Sequence, residues 1–197
     1  MKFKLFGCEI YVSFLFCALI TLMLLLDRSG LILPTLTAVF LHELGHLLCM
    51  YAKDIPPKRI KLIISSVQIT TNSFSSYKND ITVSLCGPIA NLMVFIALFV
   101  NYTIFKNQTV LLFSFVNLII AFFNLLPLKG LDGGRIIYCI VAKKSEERTA
   151  ERVLNIITIS FSLLLVFLFI TLCFKEIYNP SLLIIPLYFI ILCLAKK

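Results

Sequence analysis

The stretch FLHELGHLLCMY, residues 40–51, sets two histidines and a glutamate into a run that is otherwise almost wholly apolar. His42 and His46 are the only histidines in the 197 residues. An ionisable group at membrane depth costs roughly a few kcal/mol or more, so such a triplet marks a function by default. What surrounds the triplet decides whether it lies in a bilayer.

Composition answers that. Hydrophobic residues make up 60% of the chain, charged residues 14%, and mean hydropathy is +1.00. A soluble domain is about half apolar and a quarter charged, so the chain reads as an integral membrane protein. Its apolar runs reach the roughly 17–25 residues that cross a bilayer core as a helix. They lie at 10–26, 31–52, 80–104, 109–127, 153–174 and 180–195. The fold expected is an all-α polytopic membrane protein with six transmembrane helices, in one membrane-embedded domain over 1–197. No small-residue cleavage pattern follows the first run, CEIYVSFLFCALITLMLLL, which is therefore expected to be a retained helix and not a signal peptide.

The net charge of +8 could suggest a nucleic-acid partner. Its distribution argues otherwise. With six crossings, every lysine and arginine except Arg28, Lys106 and Lys175 falls on one side of the membrane. That asymmetry predicts both termini in the cytoplasm and no nucleic acid among the partners. The partner implied by the basic face is the lipid bilayer itself. The seven cysteines are scattered without a CxxC pair, which gives no disulfide framework.

Between the second and third runs, KRIKLIISSVQITTNSFSSY (58–77) is rich in β-branched and hydroxyl residues and follows the break at Pro56-Pro57. It predicts a short β-hairpin-like segment, with an exposed edge able to pair with an extended peptide. After the fourth run, FNLLPLKGLDGGRII (123–137) combines Pro127 with Gly130, Gly133 and Gly134 around Asp132. Those residues predict a helix break and a backbone turn that other residues avoid.

The chemistry follows from spacing. His42-Glu43-Leu44-Gly45-His46 fits H-E-x-x-H. Residues four apart on a helix are separated by about 400°, so both imidazoles share one face within reach of a single ion. Imidazole suits Zn²⁺, and the neighbouring Glu43 is placed to take a proton from water there. A catalytic zinc site uses three protein ligands, and with no third histidine the last must be a carboxylate or thiolate. The second and fourth helices run in the same direction, and the fourth delivers Asp132 just past its inner end. Cys49, Asp54 and Asp80 are worse placed, so Asp132 is the expected third ligand and one Zn²⁺ per chain the expected cofactor.

HELGH on one membrane helix with NLLPLKGLDGG (124–134) on a later one resembles the site-2 protease family of intramembrane zinc metalloproteases, peptidase family M50. The family's N-x-x-P-x-x-x-x-D-G motif fits without a gap at Asn124, Pro127, Asp132 and Gly133, and GPIAN (87–91) matches a Gly-Pro pair common in members. The resemblance covers a core of about residues 31–140. It is most similar to the branch containing stage IV sporulation protein FB, with no PDZ insertion or carboxyl-terminal regulatory domain expected. It implies that His42, His46 and Asp132 bind zinc, that Glu43 is the general base, and that Asn124 and Asn91 face the catalytic centre. Asn124 would hold substrate backbone or an oxyanion. Gly87 and Pro88 read as packing or kink residues.

The expected function is a zinc-dependent intramembrane endopeptidase cutting a membrane-associated protein near the cytoplasmic face, with a sporulation pro-sigma factor as the narrower substrate. A membrane-protein regulator and a homo-oligomer are left open as partners. The alternative classes are a membrane metal transporter and a catalytically inactive scaffold.

Overall fold

The structure, a computed structural model, describes residues 2–5, 8–63, 66–71, 76–173 and 180–194. The chain divides into two compact units, Met1–Phe122 and Phe123–Lys197.

The first unit opens with two strands, β1 (Lys2–Leu5) and β2 (Cys8–Val12), followed by the helices α1 (Phe14–Leu26) and α2 (Ile32–Ala52). Strands β3 (Pro57–Ile63) and β4 (Ser66–Thr71) come next, then α3 (Tyr77–Phe105) and α4, which begins at Gln108 and runs to Asn124. The strands form one sheet in the order β1-β2-β3-β4. Its outer pairs are antiparallel and the central β2/β3 pair is parallel. Register places Glu9 opposite Arg59. Nε and Nη2 of Arg59 donate to one Glu9 oxygen at 2.9 and 2.7 Å. The guanidinium holds the Glu9 carboxyl below its usual range, so this exposed cross-strand pair persists into mild acid.

Two expectations change here. The hairpin between the second and third apolar runs is present, but β3 is paired on both sides, and of the two strands β4 alone lies at a sheet edge. The first apolar run does not begin a helix at residue 10. CEIYV is a strand, and the helix starts at Phe14 after an extended Ser13 (φ −73°, ψ 137°). β-Branched and aromatic residues pairing with β1 and β3 outweigh the apolar continuity that suggested one helix.

α1 then has 13 residues, about 20 Å at 1.5 Å per residue against a hydrocarbon core of about 30 Å. Its exit turn is built by Asp27, whose Oδ1 accepts from the backbone N–H of Ser29 and Gly30 and whose Oδ2 accepts from that of Ile32. Among the described residues, α2, α3 and α6 (Glu147–Cys173) are long and apolar enough to cross a membrane. Phe14–Leu26, Gln108–Asn124 and Leu183–Leu194 are apolar but shorter. Each of the six expected runs contains a helix, and three of those helices have spanning length.

α2 packs on α3. Gly45 makes that approach close: a Cβ there would lie 2.7 Å from the Cys86 carbonyl oxygen and 2.8 Å from Ala90 Cβ. Small residues at helix contacts let backbones approach where lipid offers no hydrophobic driving force between helices.

The second unit holds the end of α4, α5 (Asp132–Ala142), α6 and α7 (Ser181–Leu194), with α6 packed on both α5 and α7. α6 buries Ala150, Leu154, Thr158 and Ser162, a stripe at four-residue spacing. From Ile156 onward its exposed surface is largely leucine, isoleucine and phenylalanine, as a lipid-facing helix requires.

Candidate metal centre

α2 carries His42 and His46 one turn apart, and both are buried, at 5% and 8% exposure. Their Nδ1 atoms are committed. Nδ1 of His46 lies 2.8 Å from the carbonyl oxygen of Val83, which can only accept, so Nδ1 carries the proton. Nδ1 of His42 lies 2.7 Å from Oδ1 of Asn91. Asn91 is oriented by its own Nδ2, which donates to the Ala38 carbonyl at 2.9 Å, so the atom facing His42 is an acceptor. In the neutral ring, a protonated Nδ1 leaves the lone pair on Nε2.

The two Nε2 atoms are 3.2 Å apart on rings crossing at 84°. Two lone pairs that close repel each other unless a cation lies against both. The donor set therefore fits a divalent metal with affinity for imidazole, and the Nδ1 partners are the outer contacts that fix metal-binding histidines.

α3 leaves room beside the pair. A Cβ built on Gly87 would fall 2.5 Å from His46 Cε1 and 2.8 Å from His42 Nε2, and closer still to His46 Nε2. The absent side chain is thus a space bounded by both ligand atoms. Pro88 follows, and by lacking an N–H it removes the helical bond to the carbonyl of Ser84. Glu43, next to His42 on α2, is half-buried.

In the second unit, Asp132 opens α5, where the helix N-terminus favours a carboxylate, and it is half-buried. The turn before it is tightly specified. Leu126 N–H donates to the Phe123 carbonyl, Leu131 N–H to that of Leu128, and Gly130 takes φ +94°. Lys129 N–H donates to Thr158 Oγ1 on α6 at 2.9 Å. Gly133 and Gly134 are required by contact: a Cβ on either would strike the backbone carbonyl of Leu125 or of Leu128. Asn124 ends α4 and is half-buried.

The structure thus brings His42 and His46 together on one helix and fixes Asp132 in a rigid turn. Sequence reasoning gave a role to Asn124 and none of its own to Asn91, which is bonded to His42. It also gave Gly87 to packing or a kink. The signal was present, since GPIAN places Gly87 and Asn91 one helical turn apart on one face.

A family model and several known proteins are similar to this chain. The model of Peptidase family M50 matches residues 102–168. Stage IV sporulation protein FB of Bacillus subtilis is 29% identical over 146 residues, which cover 72% of this chain and 51% of that protein. A zinc metalloprotease of Methanocaldococcus jannaschii is 26% identical over 155 residues, covering 72% of this chain and 45% of that one. The solved site-2 protease from the same archaeon superposes with a TM-score of 0.72 at 22% identity, over 98% of this chain and 93% of that one. The chain is thus similar to Peptidase family M50 in one segment and to a site-2 protease in fold. The matched region spans about half the length of those curated relatives. The likeness to the solved structure is one of fold.

Gly87→Ala tests the site directly. Alanine favours the helix by about 1 kcal/mol, yet its methyl group occupies the space between the ligand atoms. The expected outcome is a folded, monodisperse protein whose zinc content falls at least about tenfold, the scale on which disturbed metal surroundings act. Full zinc in that variant would show that the metal does not sit there.

Proposed function

We propose that the chain is a zinc-dependent intramembrane endopeptidase that holds one zinc ion through His42, His46 and Asp132. The observation that carries the reading is the donor set. Two buried imidazoles one helical turn apart have their Nδ1 atoms already committed and their Nε2 atoms 3.2 Å apart, and Asp132 is the carboxylate that the second motif supplies. When bound, zinc would supply a Lewis acid for the scissile carbonyl and lower the pKa of water beside it.

The chain's own residues do the rest. Glu43 accepts a proton from the attacking water as the new C–O bond forms. It returns that proton to the amine nitrogen as the C–N bond breaks, which balances the hydrolysis. Asn124 offers a side-chain amide to substrate backbone or to the developing oxyanion. The substrate is a membrane-associated protein, and its helix must unwind first, because an intact helix keeps its carbonyls hydrogen-bonded. The unpaired edge of β4 is the strand on which the unwound segment pairs. The asymmetry of basic residues supports six crossings with both termini in the cytoplasm and cleavage near that face.

The likeness to stage IV sporulation protein FB supports a substrate that acts in sporulation, and a pro-sigma factor cut near the cytoplasmic face is the one that the motif resemblance implies. Co-expression with a membrane-anchored pro-sigma precursor tests this together with the strand edge. Wild type should trim the precursor, and Val67→Pro, while still folded, should trim it more slowly. An intact precursor beside a second membrane substrate that is cut would contradict the sporulation reading. Unchanged trimming by the proline variant would remove the strand from the mechanism.

The transporter and the inactive scaffold make a different prediction for Glu43→Gln. In a protease this change should lower cleavage by about 10²–10⁴-fold, the usual contribution of a general base. Zinc should stay bound, because the ligands are untouched. A purified wild type with no proteolysis to lose on any membrane substrate would favour the alternatives.

A further inference from the structure

Behind Asn91 stands a residue that no motif contains. Asn117, on α4, is buried at 1% exposure and accepts through its Oδ1 a second hydrogen bond from Asn91 Nδ2, at 2.9 Å. Its own Nδ2 donates to the Phe113 carbonyl at 2.8 Å. The links share one direction. Phe113 O accepts from Asn117, whose oxygen accepts from Asn91, whose oxygen faces Nδ1 of His42. The line is anchored at two backbone carbonyls, Phe113 and Ala38, which can only accept.

We propose that Asn117 is a positioning residue for the metal centre, acting through Asn91 to hold His42 in the tautomer that turns its Nε2 lone pair toward the ion. The physical reason lies in the Asn91 amide, which can rotate about its terminal torsion and exchange its nitrogen and oxygen. One acceptor, Ala38 O, identifies the nitrogen but leaves the torsion loosely held. A second acceptor on the same nitrogen, in a different helix, fixes the plane. With both in place, exchanging the atoms sets an amide oxygen against two oxygens at once and aims an N–H at His42. His46 has no share in this line, because Val83 O holds its Nδ1 directly. The arrangement therefore joins α2, α3 and α4 at one ring, while the Nδ1 of the other ring has a separate acceptor.

The proposal rests on His42 being a metal ligand, so its test reads the ring without metal. Because the chain has two histidines only, ¹⁵N-histidine labelling reports these rings and nothing else. Spectra of the metal-free protein, at a pH where both rings are neutral, should show each wild-type ring protonated at Nδ1. Asn117→Leu, nearly isosteric but without an acceptor, should leave His46 protonated at Nδ1. In that variant His42 should become a mixture of tautomers or shift and broaden. Asn117→Asp keeps the accepting oxygen and should restore His42. In a chelator competition the leucine variant should bind zinc about tenfold more weakly, the lower end of the effect of outer-contact changes.

Asn117→Ala, which cannot clash, serves in place of leucine if that variant does not fold. A wild-type His42 protonated at Nε2 would overturn the proposal, as would a leucine or alanine variant with His42 as in wild type. Equal loss of the Nδ1 proton at both histidines would also overturn it, by showing a general loosening. A wild type that takes up no zinc would contradict the proposed function and leave the tautomer result to be judged separately.

Discussion

A buried imidazole has two nitrogens to account for. That constraint organises the first unit. His42 and His46 each give Nδ1 to an acceptor on α3, the Asn91 side chain and the Val83 carbonyl. These acceptors are within reach because Gly45 lets the two helices approach closely. The small residue inside H-E-x-x-H therefore has a packing role that the ligands depend on. Once both Nδ1 atoms are satisfied, both lone pairs face one space, and Gly87 is the residue whose missing side chain leaves it open.

The second unit solves a different problem, that of holding a carboxylate still at the end of a broken helix. Pro127 and three glycines permit the break, and hydrogen bonds define it. Thr158 on α6 takes the N–H of Lys129, and its hydroxyl in turn donates to the Leu154 carbonyl. Lys129 adds a side-chain bond to Asn155 at 3.1 Å. A turn so pinned presents Asp132 with little freedom, which is the preorganisation a metal ligand requires.

Much of this was legible in the sequence, and what was not has physical causes. The H-E-x-x-H spacing and the N-x-x-P-x-x-x-x-D-G run singled out His42, Glu43, His46 and Asp132 as candidates because ligand chemistry leaves few alternatives in an apolar chain. The hairpin showed through its β-branched residues. β1 and β2 were missed because Ile10, Tyr11 and Val12 serve equally as strand or as the start of an apolar helix, and their partner β3 lies far along the chain. α5 was missed because it is short and follows a glycine-rich break. The Asn91–Asn117 line was invisible for a further reason: asparagine in a membrane helix signals a hydrogen bond and not with whom.

The central claim is that two imidazoles and one carboxylate hold a single zinc ion. Zinc per chain in the protein purified in detergent, with Asp132→Ala measured beside it, tests this most directly. The account predicts near-stoichiometric zinc in the wild type and a marked loss in a variant that keeps its helical content. A folded wild type that binds little zinc, even when reloaded, would contradict it, as would an alanine variant that binds zinc as tightly as the wild type.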